Sequence, residues 1–123
     1  MLHIPALRLG KPYTSLNKTQ LVHHVTGETI AEVSQVNGSQ IVRDISKMEE
    51  ARNELQAIPM DKLMHMVKEA GRIFATDTLP CGDQMQTFED YIRNLSSTTG
   101  SPMVFCRRNA GKVEYVLRNI DTI

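Results

Sequence analysis

The chain has 123 residues, 41% of them hydrophobic, and its 14 basic and 14 acidic side chains cancel. That length makes one domain or part of one. No apolar run approaches the roughly 20 residues that span a bilayer, and there is no basic excess of the kind that lets non-specific nucleic-acid binders neutralise phosphates. Cys81 and Cys106 lie far apart with no CxxC pair, which argues against a cysteine zinc site or a disulfide scaffold and for free thiols in a reducing, cytoplasmic compartment. The start, Met1-Leu2-His3-Ile4-Pro5-Ala6-Leu7, has neither the basic opening nor the small-residue cleavage site of a secretory signal. Seven methionines and no tryptophan point to a core filled by adaptable side chains.

Residues 1–12 read as an irregular arm, because Pro5, Gly10 and Pro12 interrupt any period. Residues 13–16 read as a short extended piece, and 13–123 as one partial domain. A β-hairpin is expected over 20–36: Leu21, Val22 and Val25 lead into the turn signal Thr26-Gly27, and β-branched residues recur through Val36 before Asn37-Gly38. From Ser39 the period becomes helical. Ile41, Ile45, Met48, Ala51, Leu55 and Ile58 share one face, Ser39 is the expected N-cap, and Pro59 ends a helix over 39–58. A second helix is expected over 60–76, antiparallel to the first across Pro59, with Leu63, Val67, Ala70 and Phe74 as its buried stripe and Asp61 favourable in its first turn.

Residues 79–83, Leu-Pro-Cys-Gly-Asp, read as a loop. A third helix is expected over 87–98, opened by a Thr87/Asp90 capping box and closed near Gly100, with Phe88, Tyr91, Ile92 and Leu95 facing inward. Ser101-Pro102 supplies an N-cap and a first-turn proline for a fourth helix over 102–121, whose stripe is Cys106, Ala110, Val113, Leu117 and Ile120. The expected class is therefore α+β: an N-terminal β-hairpin followed by four helices.

Short motifs within this order resemble the N-terminal part of the aldehyde dehydrogenases. Gly27-Glu28 ahead of Ile30-Ala31-Glu32-Val33 is similar to that family's turn and strand. Ala51-Arg52 with Leu55 is similar to its first helix, Ala70-Gly71-Arg72-Ile73-Phe74 to the end of its helix pair, and Thr99-Gly100-Ser101-Pro102 to a later turn. The match runs from about Tyr13 onward. It departs from the family at Ile58-Pro59-Met60-Asp61-Lys62, where members often carry an aromatic-led arginine segment, and at Thr99, where an acidic residue is common. The resemblance implies a parent oxidoreductase that oxidises an aldehyde with NAD or NADP through a cysteine thiolate, with this stretch in the outer layer of the nucleotide-binding domain. The family's nucleotide-binding glycines and nucleophilic cysteine come later than Ile123. No catalytic, cofactor-binding or metal-binding residue is therefore carried onto this chain, and its expected partner is the remainder of the parent enzyme or another copy of itself.

The chemistry-bearing residues have plain readings. Cys81 lies in a loop with only His65 and Asp83 as sequence neighbours to activate it, and Cys106 sits on an apolar stripe. His23 and His24, adjacent on a strand, are expected on opposite faces and so cannot share a metal, while His65 is expected at a packing boundary. Arg107, Arg108, Lys112 and Arg118 make the fourth helix basic, although Glu114 and Asp121 dilute the charge. A recognition helix and a solvated face both look like this, and the net charge favours the latter. The alternative to an oxidoreductase segment is a stand-alone helical interaction or regulatory module, with that basic helix turned toward nucleic acid. A third option is an assembly piece that pairs through its hairpin edge.

Overall fold

A computed structural model describes all 123 residues and has the α+β composition expected, with seven short strands and five helices. The first strand, β1 (Leu2–Ile4), runs parallel to β5 (Thr29–Ser34), which also pairs antiparallel with β4 (Lys18–Val22), giving a sheet in the order β1-β5-β4. Between them, β2 (Ala6–Arg8) and β3 (Lys11–Tyr13) form a separate hairpin. Residues 1–12 are thus not an irregular arm. Leu9 and Gly10 both take positive φ, 49° and 76°, which is the backbone of a tight two-residue hairpin turn. Pro12 is tolerated because a two-stranded ribbon leaves one N–H side of each strand unpaired.

The expected hairpin over 20–36 is present as β4 and β5, closed by Gly27 at φ 72°. The helix after it starts earlier than expected and breaks in the middle. Asn37, not Ser39, is the N-cap: its Oδ1 accepts from the Gln40 N–H at 2.9 Å, and Gln40 Oε1 accepts from the Asn37 N–H at 3.1 Å. The single helix expected over 39–58 is two, α1 (Gly38–Ile45) and α2 (Met48–Gln56). At the break the Ser46 hydroxyl donates to the Arg43 carbonyl at 2.6 Å, and Lys47 leaves helical geometry at φ −103°, ψ 1°. A serine bonded back to its own backbone competes with the helix ladder.

Helix α3 (Met60–Thr76) has the bounds expected, but it does not pair with α2. Its partner is α5 (Met103–Arg118), on which it packs along its length. The crossing point is Gly71, which is buried; a Cβ there would lie 2.9 Å from the Leu117 Cβ and 3.0 Å from the Arg118 Cγ. Ala70, expected in the buried stripe, faces solvent instead. Residues 79–83 belong to a hairpin of β6 (Leu79–Cys81) and β7 (Gln84–Gln86) rather than to a loop. Gly82 turns it at φ 63°, so close to β1 that a Cβ would fall 1.8 Å from the His3 carbonyl oxygen. Helix α4 (Phe88–Thr99) opens with the expected Thr87/Asp90 capping box and ends at Gly100 in the left-handed region, φ 74°. In α5 the cap is Pro102, one residue later than expected, and the helix ends at Arg118.

The core is small. Ile92, Cys106 and Ala110 are buried, and Phe74, Phe88, Tyr91 and Leu95 pack around them. Phe74 meets Phe88 and Tyr91 edge-on at 5.5 Å between ring centres, the favoured arrangement of aromatic quadrupoles. On β5, Ala31 and Ser34 are buried on opposite faces of the sheet, and the Ser34 hydroxyl accepts from the Ser15 N–H and bonds His3 Nε2, each at 3.0 Å.

Candidate docking surface

Only 7 of the 123 residues are buried, and the accessible surface is 8837 Å². A compact monomer of this mass exposes about 6,700 Å² on the usual scaling of surface with size. Exposed apolar side chains fall on the N-terminal strands and turns, with Leu7, Leu9, Leu16, Val22 and Val25 among them, and on two helical faces. The first is the α1–α2 segment, which buries no residue at all. Ile41, Val42, Ile45, Met48 and Leu55 are each about half exposed or more. Helical periodicity made these residues apolar on one face, and nothing within the chain covers that face.

What holds the segment is polar. Arg8 grips Asp44 with both arms of its guanidinium, Nε to Oδ2 at 2.7 Å and Nη2 to Oδ1 at 2.8 Å. The same guanidinium lies 4.8 Å from the centre of the Tyr13 ring, where the ring face attracts a cation. Gln40 Nε2 donates to the Tyr13 hydroxyl at 2.6 Å. The hydrogen bond from Arg8 holds the Asp44 carboxyl below its usual range, and the carboxylate in turn raises the Arg8 guanidinium. The β2–β3 hairpin, missed in the sequence, therefore supplies both anchors of α1. The signal for it was Leu9-Gly10 between two residues able to pair.

The second uncovered place is the outer face of α5. Its inner side carries Cys106 and Ala110, as expected from the stripe. Leu117 is half-buried against Gly71, so it packs within the chain; Val113 remains 41% exposed. On the opposite side Val104, Phe105, Tyr115 and Val116 are exposed. Of the four cations on this helix, Arg107 is held by Glu89 through two bonds, one of 2.6 Å from Nη2 to Oε2, and Arg118 by Glu114 at 3.1 Å. Those Arg107 bonds lower the Glu89 carboxyl and raise the guanidinium. Arg108 and Lys112 are in no ion pair. Two unpaired cations make a weak footprint for a duplex.

The histidines depart from expectation. His23 and His24 fall beyond β4, and their rings stack at 5.1 Å and 13° instead of pointing apart. His23 Nδ1 accepts from the Val25 and Thr26 N–H groups, and His24 bonds the Ser97 carbonyl through its Nδ1 and its backbone N–H, both at 2.9 Å. These bonds tie the hairpin turn to the end of α4. His65 is exposed on α3 rather than at a packing boundary. Cys106 is buried, its Sγ 3.6 Å from the Ser101 carbonyl. Cys81 is half-buried on the wall of an open apolar cavity of about 270 Å³ between the three-stranded sheet and α4. No three His, Cys, Asp or Glu side chains converge as metal ligands, and no helix is long and apolar enough to cross a membrane.

Dinucleotide phosphates bind where a strand feeds a helix whose first N–H groups are free. Here β5 leads into α1 and β7 into α4, and at both junctions a side chain already takes an N–H: Asn37 in one, Thr87 in the other. At the second junction Asp90 adds negative charge, its carboxyl lowered by the hydroxyl and N–H of Thr87. These residues do not fit a dinucleotide phosphate. Comparison with protein-family models, with curated proteins and with solved structures finds no match to this chain.

Proposed function

We propose that this chain is the outer N-terminal part of an aldehyde dehydrogenase-like oxidoreductase of the cytoplasm, and that its role is association rather than chemistry. It docks its uncovered apolar faces on polypeptide that holds NAD or NADP and oxidises the aldehyde. The observation that carries this reading is the excess surface of roughly 2,000 Å² over a compact monomer of this mass, set against a core of four buried hydrophobic residues. Large hydrophobic side chains left exposed together on a helical face, as Ile41, Ile45, Met48 and Leu55 are, mark a surface that another polypeptide covers. The antiparallel β4–β5 pair joined through Gly27-Glu28 supports the family part of the reading, since it carries the first of the resembling motifs.

The test is purification of the natural gene product through a tag, followed by intact mass, identification of bound polypeptides, and aldehyde-dependent reduction of NAD and NADP. The expected result is this sequence joined to, or tightly held by, polypeptide that oxidises an aldehyde. A free 13.9 kDa monomer without aldehyde-dependent reduction would overturn the reading.

A further inference from the structure

We propose that the cavity between the three-stranded sheet and α4 binds a small uncharged amphiphile, with an aliphatic body seated between sheet and helix and an amide or hydroxyl head held by side-chain amides at the mouth. The site stands apart from the association reading, because the cavity lies on neither of the two uncovered helical faces.

The pattern of residues makes the hollow. Its floor is a row across the sheet, Leu2 of β1, Ala31 of β5 and Leu21 of β4, paired in register, so the three side chains share one face. The smallest of them stands between two leucines, and the floor is lowest there. The roof is one face of α4, with Tyr91, Asn94, Leu95 and Thr98 at helical spacing. Floor and roof are pinned together at two ends. At one, the His3 N–H donates to Asp83 Oδ1 at 3.3 Å and Gly82 lies against the His3 carbonyl, while β7 runs on through the Thr87 cap into α4. At the other, His24 donates its backbone N–H and its Nδ1 hydrogen to the Ser97 carbonyl, each at 2.9 Å. The pins leave a hollow of about 270 Å³ with mostly apolar walls. Small-molecule sites are preformed hollows of this kind, with a few polar groups at fixed places. A cavity of about 150 Å³ takes benzene, so this one takes a body of about ten non-hydrogen atoms.

The polar end decides the head. A second hollow of about 280 Å³ adjoins the first and shares Leu2, Cys81, Gln86 and Asn94 with it. No lysine or arginine lines either hollow, so a carboxylate or phosphate finds no counter-charge. The one charged residue on these walls, Asp90, is already taken. Its Oδ2 accepts from the Thr87 N–H and hydroxyl at 3.0 and 2.6 Å, and its Oδ1 from Arg93 at 2.9 Å. A cationic head therefore finds its acceptor matched. The carboxamides of Gln84, Gln86 and Asn94 remain, and the bonds around them, from Thr87 and Arg93 to Asp90 and from Thr98 to the Asn94 carbonyl, leave those amides free. Each offers a donor and an acceptor, which is the complement of an uncharged amide or hydroxyl.

The test is titration of the full chain with octanamide, octanoate and octylammonium, read by amide and methyl chemical shifts, for the wild type, Ala31→Ile and Asn94→Leu. Circular dichroism checks the fold of each variant. Alkylation by iodoacetamide is a second readout, because Cys81 is half-buried on the cavity wall while Cys106 is buried in the core. The expected result is saturable shifts at Leu2, Leu21 and Leu95 with octanamide, and slower alkylation of Cys81 in its presence. The two ions bind about tenfold more weakly or worse, since their charge is desolvated without a partner. Ala31→Ile fills the floor and removes binding with no loss of stability. Asn94→Leu keeps the size of the side chain, loses one amide, and weakens octanamide about fivefold to tenfold. If Ala31→Ile fails to fold, Asn94→Leu still decides, because the Asn94 amide holds no other residue. A folded wild type without saturable binding would overturn the site. Equal binding of all three probes, or octanamide binding untouched by Asn94→Leu, would overturn the assigned head. Each of these results leaves the oxidoreductase reading to its own purification and activity test.

Discussion

Helices α3, α4 and α5 bury Gly71, Ile92, Cys106 and Ala110 among themselves, whereas α1 and α2 bury nothing. Both regions have well-formed helices with apolar faces and, at α1 and α4, complete capping boxes. Local order is thus equal in the two and tertiary burial is not. Short helices in water are marginal without packing of an apolar face. The region around Ile92 meets that need within the chain. The α1–α2 segment meets it only through Arg8, Tyr13 and whatever covers Ile41, Ile45, Met48 and Leu55.

The sharpest way to break the comparison is at its centre. Ile92 is fully buried, and Ile92→Ala should cost about 2–5 kcal/mol by loss of buried methyl groups and the cavity left behind. Urea unfolding followed by circular dichroism reads this, and a midpoint that stays put would show that α3–α5 is not the cooperative unit. Next is Gly71→Val. With 2.9 Å between a Cβ and the Leu117 Cβ, the α3–α5 crossing must open, at about 1–3 kcal/mol for overpacking. Unchanged stability in that variant would mean that the two helices do not meet there.

Equal lesions placed in the two regions sharpen the contrast. Thr87→Ala removes the cap of α4 and should lower global stability by about 1 kcal/mol. Asn37→Ala removes the same motif from α1, yet should leave the global transition where it was and speed only the amide exchange of α1. If both substitutions lower the melting temperature alike, the segment is coupled to the core and the distinction fails.

The smallest effect is one of pH. The Asp44 carboxyl is held below its usual range by Arg8. A carboxyl lowered on folding contributes stability that is fully present above its unfolded value and is lost as pH falls through the folded value. Acidification below the ordinary aspartate range should therefore release α1 from β2, with little effect on the Ile92 core. Carboxyl chemical shifts and α1 amide exchange across an acid titration read it, and an Asp44 that titrates like a free aspartate would remove the tether.

Sequence reasoning worked where a signal was local and carried its own stereochemistry. Thr87 with Asp90 named the start of α4, Gly100 its end, and Pro59 with the phase of Leu63, Val67 and Phe74 gave α3. It failed where a local signal was ambiguous or the determinant lay far away. The Leu9-Gly10 turn is hidden among prolines that read as irregular, and β1 has a partner only because β5 lies alongside it. The break at Ser46 keeps the helical phase on both sides, so periodicity runs through it. The pairing of α3 with α5 instead of α2 is decided by Gly71 and Leu117, which no window of sequence joins. The candidate surface was legible only in part: the exposed stripe over 39–58 was read correctly as apolar and wrongly as covered by the next helix. The charges of α5 were read as basic and diluted by Glu114 and Asp121, and the pairing of Arg107 across to Glu89 was not seen because it is a tertiary fact.

The most direct measurement is amide hydrogen exchange of the full chain at two protein concentrations, one low enough for free chains and one high enough for association. The account expects α3, α4 and α5 to be protected at both. It expects α1 and α2 to exchange quickly in the dilute sample and to gain protection where association covers them. Protection of α1 and α2 in the dilute sample equal to that around Ile92 would contradict it, because that would require a cover for Ile41, Ile45, Met48 and Leu55 within the single chain.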